Sequence, residues 1–372
     1  MMQDIVTGIP VSDHDHAVNG LEFGDHGELY IQVAGSTNSG VPGELSSTKI
    51  LKDNIVSGAT LVAHLGDAGF TGRLVYDATD DGNLLPGSGV EIFAHGLRNP
   101  YGLTLHSNGK LYGTDNGPDI NFGSRSLSCG GKELPGIEED DKLLLLEKNH
   151  YYGQPNRKRG KSDPRQCIWH SINDRDQGYN YTAPIATHPS SIDGIIEFQT
   201  NHFGGQLRHN LIVAKYKKQL YRVILNADGT AVLPQSKPLL PLTGSNSLDV
   251  TQAPDGTLIV AQYLLGTVAY YKPIEEVLQQ LLVYGVFPRR GPIPTMPRLT
   301  VYVSTSASLK YAQVMVGPYT CPIIETVGNS AIVCGPIVST SETPGTVDVE
   351  VTLANGDSQT FERGFRFITG RP

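Results

Sequence analysis

The 372 residues carry a formal net charge of −8 with 18% charged side chains. That balance excludes a nucleic-acid binder, because phosphate recognition needs a concentrated basic face. A chain this long buries enough apolar surface to fold without a metal or a disulfide, and no stretch approaches the ~18 consecutive apolar residues of a membrane helix.

The opening MMQDIVTGIPV has neither the basic start nor the apolar run of a signal peptide. Either the chain is cytosolic or its true N-terminus lies upstream. With 42 glycines, 24 prolines and 17 tyrosines, and turn dipeptides between short Val, Ile, Leu and Tyr runs, the composition predicts β structure. One unit recurs before Lys272: an apolar strand, a two-residue turn and a second apolar strand. Its copies are GLEFGDHGELYIQVAG from Gly20, GLTLHSNGKLYGTDNG from Gly102 and SLDVTQAPDGTLIVAQY from Ser247, with a related VILNADGTAVL from Val223. His-Gly, Asn-Gly and Asp-Gly favour turns with positive φ, so each copy reads as a hairpin. Such hairpins, irregularly spaced by long loops, predict an all-β chain built as a β-propeller; a β-sandwich is the second choice.

Between Asn116 and Pro155 lies one insertion, whose LLLL run predicts a buried strand. The basic cluster Arg157, Lys158, Arg159, Lys161 reads as a solvated loop. Four cysteines, Cys129, Cys167, Cys321 and Cys334, suit two disulfides and an oxidising compartment. A Cys129–Cys167 bridge would staple two long loops. Asn180-Tyr181-Thr182 fits an N-glycosylation acceptor, which agrees with secretion. After Lys272, PIEEVLQQLLVYG sets Val277, Leu278, Leu281 and Leu282 on one face of a short connector helix over 273–285. From Val286 to Ile368, RLTVYV, AQVMVG, SAIVCG, TVDVEVTLANG and FRFI predict a small Ig-like sandwich.

HGLRNPYGLTLHSNGKLYGTDNGP followed by YYGQPN resembles the glucose/sorbosone dehydrogenase family, soluble sugar dehydrogenases that use pyrroloquinoline quinone on a six-bladed propeller. DHDHAVNGLEFGDHGELYIQVAG upstream and GGQLRHNLIVAKYKKQLYRVILNADG with LDVTQAPDGTL downstream extend the resemblance over residues 5–272. GVFPRRGP, VMVGPYTCPI, AIVCGP and the closing FRF resemble an IPT/TIG domain, with PTMPRLTVYVS in place of the usual glycine-rich step. The resemblance implies a domain 1–272, the connector 273–285 and an IPT/TIG domain 286–370. It also implies that the family's domain begins upstream of IVTGIPVSDHDH, so that a blade is absent and the chain is N-terminally incomplete, with an extracellular location.

Oxidising a sugar hydroxyl needs a base for the proton and a cation where negative charge develops. The resemblance gives the base to His16; a hydrogen-bonded loop histidine and a His14-x-His16 metal pair are the alternatives. Arg98 would supply the cation, or else pin its own turn. Gly117 and Pro118 would offer carbonyls to calcium, and Lys217 would pair with the quinone's acidic groups. Several positions depart from the family. Gly35 and Ser36 stand where a Gly-Asp pair would orient the histidine, Asn246 and Leu248 stand where cations clamp the quinone carboxylates, and Asp141 is followed by Lys142 in the acidic loop. The expected function is a secreted sugar dehydrogenase acting on CH-OH groups, with a sugar or small polyol as partner. The alternative is an inactive extracellular propeller and Ig-like protein that binds carbohydrate or protein partners.

Overall fold

The computed structural model describes residues 3–12, 16–42, 52–76, 83–119, 125–126, 129, 133–134, 138–170, 181–189, 191–216, 219–241, 246–272, 281–340 and 344–369. These form an all-β chain whose first part holds four consecutive antiparallel sheets. The first joins Val18–Phe23, Leu29–Val33, Ala59–Ala63 and Val90–His95; the second joins Asn99–Leu105, Leu111–Asn116, Asp141–Leu146 and Ala186–His188. The third joins Ile192–Glu197, Leu211–Lys215, Gln219–Val223 and Lys237–Pro241, and the fourth Ser247–Gln252, Leu258–Gln262 and Thr267–Tyr271. Each sheet is a meander in chain order, and the first strand of each packs beside the first strand of the next. That arrangement is propeller-like.

Every junction between sheets has its own apolar cluster. Leu144 and Leu146 pack with Ala94 and Leu97 toward the first sheet, while Leu143 and Leu145 pack with Ile192 and Val213 toward the third. Successive strand residues point to opposite faces, so a strand buried on both faces needs an unbroken apolar run, which is the LLLL signal. Phe198, Ile212, Val250 and Val260 fill the junction of the third and fourth sheets.

The recurring hairpins are the first two strands of the first, second and fourth sheets. Their loops are longer than the expected two-residue turns. Gly24, His106 and Ala253 donate their N–H to the carbonyls of Glu28, Lys110 and Thr257, and within them Gly27, Gly109 and Gly256 take φ of 83°, 82° and 84°. His26, Asn108 and Asp255 are not among the residues with positive φ. A single left-handed glycine therefore closes a bulged loop, rather than an Asn-Gly pair closing a tight one.

Another glycine explains the Gly-Leu start of these copies. A Cβ on Gly20 would lie 2.8 Å from the Tyr101 carbonyl, and one on Gly102 2.5 Å from that of Asp193; on Gly194 it would collide with Asp249. The first strands of the first three sheets approach their neighbours so closely that these three positions admit no side chain. Gly102→Ala is expected to destabilise the protein by about 2–3 kcal/mol, read as a lower urea midpoint, because backbone rather than a pliable side chain stands in the way.

Arg159 corrects the expectation of a solvated basic loop. It is 3% exposed and donates to the carbonyls of Ile55 at 2.9 Å and Ser57 at 2.8 Å and to Gln166 Oε1 at 2.6 Å. A planar fork of five donors can satisfy several buried carbonyls at once, which is why an arginine serves there. Cys129 bridges to Cys167 and Cys321 to Cys334.

In the C-terminal part, a four-stranded sheet (Leu282–Phe287, Leu299–Ser304, Ala331–Cys334, Ile323–Val327) and a five-stranded one (Arg290–Pro292, Ser358–Ile368, Gly345–Thr352, Gln313–Val316, Tyr319–Thr320) share one core of Val283, Val301, Ile332, Val314, Val349 and Phe365. Residues 273–280 of the expected connector helix lie outside the described residues, and Leu282–Phe287 forms a strand, so the β register resumes before Val286. Arg290 ties this part to the first sheet through Glu22 Oε1 at 2.7 Å and the Phe23 carbonyl at 2.8 Å.

Candidate active site

His16 is 3% exposed, and its Nδ1 is 2.8 Å from the Gly35 carbonyl. A carbonyl can only accept, so Nδ1 carries the proton and Nε2 carries the lone pair, the tautomer a general base requires. The sequence predicts that losing the Gly-Asp carboxylate leaves the imidazole without an orienting acceptor. The structure corrects that: the Gly35 carbonyl takes the orienting role, though as a neutral group it does not raise the ring's basicity as a carboxylate would. Ser36 turns its N–H away to Asp53 Oδ1 at 2.7 Å. His14 lies outside the described residues.

Gly35 also joins the two candidate residues, since its N–H donates to the Arg98 carbonyl at 2.8 Å. Arg98 sits at the entrance to Asn99–Leu105 and is 2% exposed. Asp115, across the hairpin, accepts the N–H groups of Arg98 at 3.0 Å and Asn99 at 2.9 Å through the same Oδ1, which holds the Arg-Asn-Pro turn. Burial pushes the Asp115 carboxyl up, against the lowering pull of Lys142, whose Nζ is 3.9 Å away. The Arg98 guanidinium donates from Nε to Asn38 Oδ1 at 2.7 Å and from Nη2 to Asp119 Oδ2 at 3.3 Å. The guanidinium thus pins its turn to the segments that carry Asn38 and Asp119.

Gly117 donates its N–H to Asp141 Oδ1 at 2.8 Å, and the Pro118 carbonyl accepts from Glu139 at 3.0 Å. Asp141 accepts further from Ile192 N–H at 2.7 Å and Asn116 Nδ2 at 3.1 Å. The acidic residue before Lys142 is therefore a brace for the Asn-Gly-Pro loop. Burial raises its pKa to about 7 despite these donors, with Asp193 adding to the rise.

Lys217 lies outside the described residues, as does Asn180 of the glycosylation acceptor. Asn246 and Leu248 are half-buried beside Ser247–Gln252. The structure thus links His16, Arg98 and the Gly117 loop through Gly35 and Asp115. The residues sequence reasoning missed are Asn38, Asp53, Asp115 and Asp119. Asp115 is legible only from strand register, since it faces Pro100 across the hairpin; nothing in the sequence pairs Asn38 with Arg98.

The described residues do not fit a multiply anionic quinone as they stand. The cation of Arg98 is already met by Asp119, and the neutral Asn246 and Leu248 add no charge. The Pro118 carbonyl, with one lone pair spent on Glu139, and the nearby guanidinium make a poor seat for calcium. What the arrangement offers is a buried imidazole protonated at Nδ1, whose acceptor residue is in turn hydrogen-bonded to the Arg98 backbone.

A family model described as Glucose / Sorbosone dehydrogenase matches residues 67–264. No curated protein matches the chain. Similar solved structures include an oxidoreductase (glucose dehydrogenase) from Thermus thermophilus, 22% identical at a TM-score of 0.45 over 68% of this chain and 62% of that one. A second is the PQQ-bound aldose sugar dehydrogenase of Streptomyces coelicolor, 18% identical at 0.41 over 68% and 58%. A third is the holo PQQ domain of pyranose dehydrogenase from Coprinopsis cinerea, 14% identical at 0.45 over 71% of each chain. The chain spans 62% and 58% of the first two, and likenesses this distant place no residue.

Proposed function

We propose, from the premise that this chain belongs to the glucose/sorbosone dehydrogenase family, that it is a sugar dehydrogenase-like oxidoreductase acting on CH-OH groups of aldose- or sorbosone-type sugars. The observation that carries this reading is the tautomer of His16, fixed through Gly35 within one backbone hydrogen bond of Arg98. His16 Nε2 would take the hydroxyl proton and Arg98 would stabilise the negative charge on that oxygen, while the hydride of the C–H bond would pass to a two-electron acceptor bound from outside. Pyrroloquinoline quinone, held with calcium at Gly117 and Pro118 and paired with Lys217, is the acceptor the family implies. No step is derived through it, because the described residues do not form its cradle.

We assign residues 1–272 to a propeller of this family and 286–370 to an Ig-like sandwich of IPT/TIG type, in an extracellular protein. The two disulfides support the oxidising compartment. A second reading is an inactive propeller and Ig-like protein that binds carbohydrate or protein partners, and it is favoured by the Arg98–Asp119 pair.

Calorimetric titration with pyrroloquinoline quinone in calcium, followed by dye reduction on aldoses, tests the first reading. Turnover on an aldose is expected, and His16→Ala should lower it by about 10²–10⁴-fold while the fold is kept. Absence of binding and turnover would overturn it and leave the second reading.

A further inference from the structure

Away from His16, a cavity of about 60 Å³ lies where the second hairpin and the third sheet meet the C-terminal sandwich, room for a few waters or one small anion. Four arginines, Arg289, Arg290, Arg363 and Arg366, line it against two carboxylates, Asp25 and Glu197. The carboxylates are committed elsewhere. Asp25 meets Arg366 and, at 3.6 Å, Arg290. Glu197 accepts from Ser107 N–H at 2.8 Å, Ser107 Oγ at 2.6 Å and His209 Nδ1 at 2.7 Å. Arg290 is held a second time by Glu22.

Arg289 and Arg363 differ. Among the described residues neither guanidinium has a hydrogen bond or ion pair; Arg289 reaches only the Phe361 ring, 6.0 Å from its centroid. Arg289 is half-buried, and burial pulls its pKa down to about 9, with Glu197 opposing the shift. Arg363 sits at φ 51°, left-handed backbone that a glycine or asparagine adopts more cheaply. His209, at φ 62°, has Nδ1 on Glu197 and also lines the cavity. Two arginines that line one small cavity and have no acceptor among the described residues leave a positive cleft open to an acceptor from outside.

We propose that this cleft binds a small oxyanion, a phosphate or carboxylate group, between Arg289 and Arg363 with His209 at its side, bridging the propeller-like part and the sandwich. The site is independent of the sugar-oxidation reading and uses none of its residues.

The test is thermal unfolding and calorimetric titration of the full chain with inorganic phosphate and, separately, acetate, at constant ionic strength set with chloride. Wild-type protein and Arg298→Gln, which removes an exposed arginine paired with Glu325, should show a saturable rise in Tm with at least one probe. Response to phosphate alone or acetate alone tells which head group the cleft prefers. Arg289→Gln should weaken that binding about tenfold or more, and Arg363→Gln, at an exposed position, should weaken it several-fold even if Arg289→Gln folds poorly. No saturable response to either probe, or an undiminished response in both cleft variants, would overturn the proposal.

Discussion

Replacing Glu197 with alanine is expected to lower stability by about 3–5 kcal/mol, measured as the change in urea midpoint at pH 7. The side chain is fully enclosed and gathers the Ser107 N–H and hydroxyl, His209 and, at 3.2 Å, Gln199. Truncation would strand those donors where water cannot replace the lost acceptor. The turn of the second hairpin would also lose its link to the third sheet and, through His209, to the lip of the arginine cleft.

The same carboxylate sets an acid limit. Burial alone would raise its pKa, but the hydrogen bond from His209, the charge of His106 and the Ser107 hydroxyl outweigh it and hold the pKa at about 2. The folded value lies below the ordinary glutamate value of 4.5, so the ionised group contributes its full stabilisation above about pH 4.5. That contribution, roughly 3 kcal/mol, is lost as the pH falls toward 2. Glu197→Gln should flatten this limb of the stability curve. A variant that keeps the wild-type acid slope would show that other carboxylates carry it.

Asp193→Asn is expected to act in the opposite sense and at the other end of the pH range. Burial, reinforced by Asp249, raises the Asp193 carboxyl to about 7 although Ser191 donates to its Oδ1, and its Oδ2 has no partner. An acid whose folded pKa is raised binds its proton more tightly in the native state. Stability is therefore lost as pH climbs from about 4 to about 7, by roughly 4 kcal/mol for this group. The amide stays neutral at every pH and also relieves Asp141, whose pKa Asp193 helps to raise. The variant should match wild type near pH 4 and exceed it by roughly 4 kcal/mol at pH 8, seen as a higher Tm. Equal stability at pH 8 would mean that Asp193 is ionised and solvated in the native protein.

Much of this was legible along the chain because it depends on near neighbours. Alternating apolar runs and a glycine in each turn fix hairpins through local sterics, and the unbroken Leu143–Leu146 run follows from burial on both faces. Two disulfides were expected from the four cysteines, but their connectivity came from the structure. The meaning of Gly20, Gly102 and Gly194 was not, since a missing side chain signals close approach without naming what approaches. The site shows the same division. His16 and Arg98 stand out as residue types, but whether His16 keeps an orienting acceptor depends on the Gly35 carbonyl, and every residue has a carbonyl.

By itself, then, the sequence determined an all-β chain of repeated hairpins, its family and the identity of its candidate base and cation, because strand period, turn chemistry and motif order are properties of contiguous residues. Only the tertiary structure decided that Arg159 is a buried pin, that Asp119 already meets Arg98, that Asp141 braces the Asn-Gly-Pro loop, and that Arg289 faces a cleft without an acceptor. Charge pairing and desolvation act between groups far apart in the chain, and their balance is set by which of them the fold brings within a few ångströms and away from water.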